Sequence, residues 1–222
     1  MESLRLHYAP DNASLCVRLA LEFGGIPYTT ALVDRANAAQ RQPAYLAINP
    51  AGLIPALDTP HGPVFETGAI LLWLADRTPG RLFPAPDAPA RGQALSWLFW
   101  MANTLHPTLR SLFYPDQYLP AAPASLRHAA RHRIATHLDL LEDAWVPDHV
   151  LQMCYLAPML RWPALYGGQT DWYDLGRWPR LHLFAQVFEA MPAAQAAARA
   201  EGLGPTPFSA PHPANPPEGR PI

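Results

Sequence analysis

Lysine is missing from this chain. All 16 of its basic residues are arginine, which excludes a Walker-type phosphate loop, a Schiff-base mechanism and any other step that needs a lysine amine. Cysteine is almost as scarce. Cys16 and Cys154 are the whole complement, too few for a disulfide framework and too far apart for a CxxC pair, so a reducing cytoplasm is the expected setting. No apolar run reaches the roughly 20 residues that cross a bilayer, and the opening MESLRLHYAP has no secretory-leader shape. Strong charge is also missing. A net charge of −2 and a pI near 6.5 argue against a nucleic-acid or membrane partner. His128 and His132 have the i, i+4 spacing of a metal pair, but no third ligand accompanies them. A solvated helix face is the expectation there, and no metal.

Proline is abundant. Of 27 prolines, seven fall in residues 203–222, GPTPFSAPHPANPPEGRPI with its preceding leucine, a stretch that reads as extended polyproline-like chain. The 222 residues ahead of and including it suffice for one large or two modest domains. Residues 3–8 alternate as a short strand, and a turn at Ala9-Pro-Asp-Asn opens an apolar helix with Leu15, Cys16, Leu19, Ala20 and Phe23 on one stripe. Gly24-Gly25 and Pro27 stop that helix. Tyr28 to Val33 is a second strand, PAYLAIN a short helix, and Ile54–Leu57 with Pro63–Phe65 a hairpin around Pro-His-Gly. Thr67 begins another helix. The order βαβαββα is then followed, after the Pro/Gly/Ala-rich TPGRLFPAPDAPARG, only by helical patterns: Leu98, Met101, Leu105, Leu109 and Leu112, then Leu126, Ala130, Ile134, Leu138, Leu141 and Trp145, with further helices beyond. Four parts are expected: an α/β domain over 1–78, a linker over 79–90, an all-α domain over 91–202, and a tail over 203–222.

Pro55 sits where an apolar strand should begin. Proline donates no backbone hydrogen bond, so it belongs at a strand's first residue or edge. Its placement leaves main-chain groups beside it for some other use.

The element order, Asn49-Pro-Ala-Gly-Leu-Ile-Pro55 and Glu66-Thr67-Gly-Ala-Ile70 together resemble the glutathione transferase superfamily over residues 4 to about 202. The resemblance implies a thioredoxin-like N-terminal domain, an all-α C-terminal domain, glutathione as co-substrate and a homodimer. It also implies a cis Pro55, a state found in about 5% of X–Pro bonds, with the N–H and C=O of Ile54 turned to the cysteinyl part of glutathione. Glu66 and Thr67 fit the γ-glutamyl end. A helix N-terminus and a hydroxyl suit its carboxylate, and an adjacent acid suits its ammonium. Thr67 acting only as a helix cap is the plainer alternative.

Glutathione transfer needs a thiolate, and a thiol of pKa about 8.5 must be acidified. The resemblance implies a helper that is Tyr, Ser or Cys depending on class, and in the bacterial pattern Tyr-Ser-Pro-Gly-Ala-Cys-Ser-Leu the Ser and the catalytic Cys are the positions to compare. Here those positions are Ala9 and Ala13, so the candidates for catalysis become Asn12 and Ser14, with Tyr8 as a third. Ser14 is equally placed to cap the helix, Tyr8 reads as a core aromatic, and Cys16 as a buried apolar side chain. Leu53 stands where many relatives have Lys or Gln near the glycyl carboxylate, leaving Arg35, Gln40 or Arg41 as substitutes. In the second half, Pro107 should kink or split a helix and open a groove. His106 resembles an active-site histidine, or else is a polar group satisfied at the kink. Tyr114, with Phe113 and Tyr118, can line an electrophile pocket or join the core. Asp148 is a possible N-cap for the later central helix. The resemblance implies conjugation of glutathione to small apolar electrophiles. A non-catalytic binding module and a glutathione-dependent disulfide or peroxide reductase are the alternatives, the latter weakened by Ala13.

Overall fold

A computed structural model describes residues 4–146 and 148–221. Strand β1 (Leu4–Tyr8) leads into helix α1 (Ser14–Gly24), strand β2 (Tyr28–Leu32), two 3-10 turns and the short helix α2 (Pro43–Leu46). The hairpin β3 (Ala56–Thr59) and β4 (Gly62–Phe65) precedes helix α3 (Thr67–Asp76). The sheet order is β2-β1-β3-β4, with β1 and β2 parallel and the other pairs antiparallel. This is a thioredoxin-like arrangement. Helices α4 (Arg91–Trp100), α5 (His106–Phe113), α6 (Pro115–Tyr118), α7 (Pro123–Ala144), α8 (Val150–Arg161), α9 (Pro179–Glu189) and α10 (Pro192–Ala200) complete the chain.

Helix α1 is the hub. Its sequence shows one apolar stripe, yet every residue from Ser14 to Leu21 is buried. The reason is its position: the sheet and α3 take one side, and α8 and α10 take the other. Leu15, Val17, Leu19 and Leu21 are fully enclosed, and each such side chain stabilises the fold by about 1.5–3 kcal/mol. Phe23 stacks on Phe188 of α9 at 5.1 Å between ring centres. Gly25 ends the helix at φ 60°, a left-handed turn that costs glycine little. Apolar packing therefore runs without a break from β1 through α1 into the helical half.

Two local expectations change. The helix around Pro107 neither breaks nor splits: a π-helical turn, Met101–Leu105, joins α4 to α5. The wider turn absorbs the donor that proline lacks. Asp148 does not cap α8, whose first turn has no side-chain cap and is preceded by His149. Instead Asp148 lies 3.6 Å from the ring of His149.

The proline-rich segment forms no helix or strand among its described residues, but it is packed. Phe208 is fully buried, and the carboxylate of Glu189 accepts the N–H groups of Phe208 and Ser209, each at 2.9 Å. Asn215 N–H donates to Gly202 C=O at 2.8 Å. Prolines reduce the freedom that ordering such a strap would otherwise cost.

Candidate active site

A cavity of about 460 Å³ opens between the sheet-bearing half and the helices. Asn49, Leu53, Ile54 and Pro55 form its floor, Glu66 to Ala69 one wall, and Asp11 to Ala13 another. Helices α4, α5 and α8 close the far side with Phe99, Asn103, His106, Arg110, Phe113, Tyr114 and Tyr155 among others.

The Ile54–Pro55 peptide is cis. Strand β3 begins only at Ala56, so Ile54 stands outside the ladder, and no hydrogen bond among the described residues uses its N–H or C=O. The preceding residue is braced from behind. Leu53 C=O accepts from the Tyr45 hydroxyl and from Asn49 Nδ2, both at 2.7 Å. Asn49 is buried, and its Oδ1 takes Ala51 N–H at 3.0 Å, so both ends of its amide are used. The Asn-Pro-Ala-Gly stretch thus holds a short piece of main chain open toward the cavity.

At the next wall, Ile70 N–H makes the first intrahelical bond of α3, to Glu66 C=O at 2.9 Å. The N–H groups of Thr67, Gly68 and Ala69 precede it and carry the positive end of the helix. The Thr67 side chain is buried and caps nothing, and the exposed Glu66 carboxylate has no partner among the described residues. Glu66 has φ 71°, and Asp11 opposite has φ 50°. Positive φ is uncommon outside glycine. Two of the three such residues among those described line one cavity.

The turn before α1 separates the candidate thiol donors. Asn12 lines the cavity, and its Oδ1 accepts Ala13 N–H at 2.8 Å, which leaves Nδ2 as the free donor. Ser14 does not line it. As the first residue of α1 its side chain is buried under the turn, donating to Ala9 C=O at 2.9 Å and accepting Ala9 N–H at 3.3 Å. Tyr8 is also engaged. Its hydroxyl donates to Glu218 at 2.5 Å, and burial with that carboxylate raises its pKa well above the usual tyrosine range. Cys16 and Cys154 are fully buried and outside the cavity, and burial pushes both thiol pKa values up.

Asp11 reaches away from the cavity into a buried cluster that the sequence did not announce. Arg161 binds its two oxygens with Nε at 2.9 Å and Nη2 at 2.8 Å. Trp162 Nε1–H donates at 3.0 Å and the Tyr166 hydroxyl at 2.5 Å. The rest of the Arg161 guanidinium donates to Pro207 and His212 carbonyls in the strap. Asp11 N–H is itself taken by Glu201 at 2.8 Å, and Glu201 also holds Arg18 at 2.7 Å. Burial raises the Glu201 carboxyl to about 7 in spite of Arg18. The turn carrying Asn12 is therefore fixed from α8, from the chain after α10 and from the strap at once.

On the helical side, His106 Nδ1 shares a 3.0 Å hydrogen bond with the Tyr155 hydroxyl, and its ring lies 5.9 Å from that of Trp162. Burial, then the nearby Arg110 charge, lowers His106 to about 4, so it is neutral at physiological pH. Tyr114 and Phe113 line the cavity, whereas Tyr118 stands outside it. Arg35 Nη2 donates to the Tyr114 hydroxyl at 3.0 Å, and Arg110 Nε to the Tyr118 hydroxyl at 2.8 Å. Neither Gln40 nor Arg41 lines the cavity. Asn103, Arg110, Tyr155 and Trp162 were not singled out from the sequence. Only the π turn and the crossing of α8 bring them to the wall. His128 and His132 face each other at 3.2 Å on exposed α7, and the described residues hold no cluster of three metal-ligating groups.

A thioredoxin-like half that leaves main-chain groups open beside a cis proline is joined here to a helical half across a cavity. Residues 13–77 match the model of the glutathione S-transferase N-terminal domain. The chain is 30% identical over 210 residues to glutathione S-transferase GST-4.5 of Xanthomonas campestris, covering 90% of this chain and all of that one. It is 29% identical over 208 residues to glutathione S-transferase GstA of Escherichia coli O157:H7, with the same coverage. Among solved structures, a sphingomonad glutathione S-transferase complexed with glutathione superposes with a TM-score of 0.76 at 30% identity, over 90% of this chain and all of that one. The chain belongs to the glutathione S-transferase family.

Proposed function

We propose that the protein binds glutathione in this cavity and transfers its thiolate to a small, largely apolar electrophile. The observation that carries the reading is the N–H and C=O of Ile54, unpaired among the described residues beside cis Pro55, in the same cavity that the first turn of α3 lines. Such a pair matches the main chain of a peptide. Thr67, with the free N–H groups around it, takes the γ-glutamyl carboxylate, and Glu66 takes the ammonium. The sulfur then lies toward Asn12 Nδ2 and the start of α1. One donor and one helix dipole stabilise the thiolate, and His106 and Tyr114 border the acceptor. Holding both reactants in one cavity supplies proximity. The relatives named above, one of them solved with glutathione, support the same assignment.

The reductase alternative loses ground because no cysteine lines the cavity. The binding-module alternative is what the experiment addresses. Bound glutathione is titrated by its thiolate absorbance in wild type and Asn12→Ala. A thiol pKa below about 8.5 that rises by about one unit in the variant supports transfer with Asn12 as donor. Tight binding with an unshifted thiol assigns the chain to binding alone. A homodimer in a reducing cytoplasm completes the reading, supported by two free buried cysteines and by exposed Phe65, apolar surface for a second copy outside the cavity.

A further inference from the structure

We infer that the electrophile carries a carboxylate or similar anionic group, received by Arg110. This rests on the transferase reading and names the class of acceptor. Arg110 lines the cavity from α5, on the helical side away from Ile54 and Glu66. Its guanidinium is already oriented: Nε is tied to the Tyr118 hydroxyl at 2.8 Å, and the group lies 5.4 Å from the centre of the Tyr114 ring. Both Nη groups remain free of partners among the described residues, and no described carboxylate comes within 4.0 Å of any of its nitrogens. A second guanidinium, Arg35, sits 6.0 Å from the centre of the same tyrosine ring, again without a described carboxylate.

The surroundings supply no counter-charge. Phe99, Ala102, Pro107 and Phe113 are apolar, and His106 beside them is neutral at physiological pH. Asp11 is spoken for by Arg161, and Glu66 stands at the opposite wall. An oriented cation with no carboxylate beside it, at the half-exposed edge of a largely apolar cavity, attracts an anion, and its planar fork matches a carboxylate. An apolar acceptor with one acidic substituent fits both features.

For the probe 4-chloro-3-nitrobenzoate the step balances simply. The thiolate sulfur bonds to the carbon bearing chlorine, the C–Cl bond breaks, and chloride leaves with the bonding pair. The thiol proton passes to solvent, and nothing is oxidised or reduced overall. The test compares kcat/KM for this acid and for 4-chloro-3-nitrobenzamide in wild type, Arg110→Gln and Arg110→Lys. With each kcat/KM divided by the uncatalysed rate constant of that acceptor with glutathione, wild type should prefer the acid, and Arg110→Gln should lower this acid-to-amide ratio about 10-fold, with Arg110→Lys recovering part of it. A wild type without preference for the acid, or a ratio that survives Arg110→Gln, overturns the proposal. So does an equal rise in the glutathione KM with both acceptors, because Arg110 would then be reading the glycyl carboxylate. Calorimetry with unreactive 4-methyl-3-nitrobenzoate and its amide, with and without glutathione, decides the matter independently of turnover. Acid-selective binding lost in Arg110→Gln upholds the anion site even if no conjugation occurs, in which case the transferase reading alone fails. Equal binding of acid and amide overturns the anion site.

Discussion

The end of the cavity beside β3 and α3 is lined by main-chain atoms and short side chains: Ile54, Thr67 and the first N–H groups of a helix. The end beneath α5 and α8 is lined by long side chains, His106, Arg110, Tyr114 and Tyr155. The first end needs only a local backbone shape, which survives wide change in side chains. The second depends on which residues project from a scaffold assembled at long range.

Removing what holds the two ends together should have the largest effect. Arg161→Ala leaves the Asp11 carboxylate buried without its bidentate partner and frees the strap carbonyls. It should cost about 3–5 kcal/mol in urea unfolding. A loss below about 1 kcal/mol would mean that the two ends are not coupled through this cluster.

Next comes the main-chain end itself. Thr67→Val keeps the shape of the buried side chain but deletes its hydroxyl. Calorimetric glutathione affinity should fall about 10-fold, while the acid-to-amide selectivity of the other end stays as it was. A change in selectivity without a change in affinity would reverse the assignment of the two ends.

Smaller, but diagnostic in sign, is the dependence of stability on pH. Glu201, which braces the Asn12 turn, has a folded-state pKa raised to about 7 from 4.5. Its contribution is present at low pH and is lost as pH rises through that window. His106, at the acceptor end, has its pKa lowered to about 4 from 6.5. Its contribution is present above 6.5 and is lost as pH falls toward 4. The two slopes oppose each other in the wild type. Glu201→Gln should therefore make stability rise more steeply with pH between about 4.5 and 6.5, and His106→Asn should flatten or invert that rise. Chemical denaturation across this range measures both, and identical slopes in all three proteins would contradict the burial of these groups.

The smallest effect is expected at His128. His128→Gln on the exposed face of α7 should change stability by less than about 0.5 kcal/mol and leave glutathione affinity unaltered. A large effect would point to a role for the histidine pair that its exposure does not suggest.

Much of the α/β half was legible because its signals are local. The Gly25 stop and Glu66-Thr67 at a helix start each act within a few residues, and the structure has a left-handed cap and a first helical turn at those places; the cis bond at Pro55 came from the family resemblance and not from a local signal. Ser14 shows the limit. A hydroxyl in the first turn reads equally as donor or as structural group, and only the depth of α1 in the core turned it to Ala9. The helix around Pro107 was readable as disturbed, but not as a π turn, since the choice between a kink and an extra residue depends on the helices packed beside it.

By itself the sequence determined the order of strands and helices and the open main chain before β3. These follow from propensity, periodicity and residue chemistry acting over short spans. Tertiary structure alone decided that Asp11 meets Arg161, that Glu201 lies under the Asn12 turn, that the proline-rich strap meets Tyr8 through Glu218, and that Arg110 lines the cavity with no described carboxylate within 4.0 Å. Those contacts join residues 100 or more positions apart or depend on helix packing, and no local rule specifies which distant partner a buried charge will find.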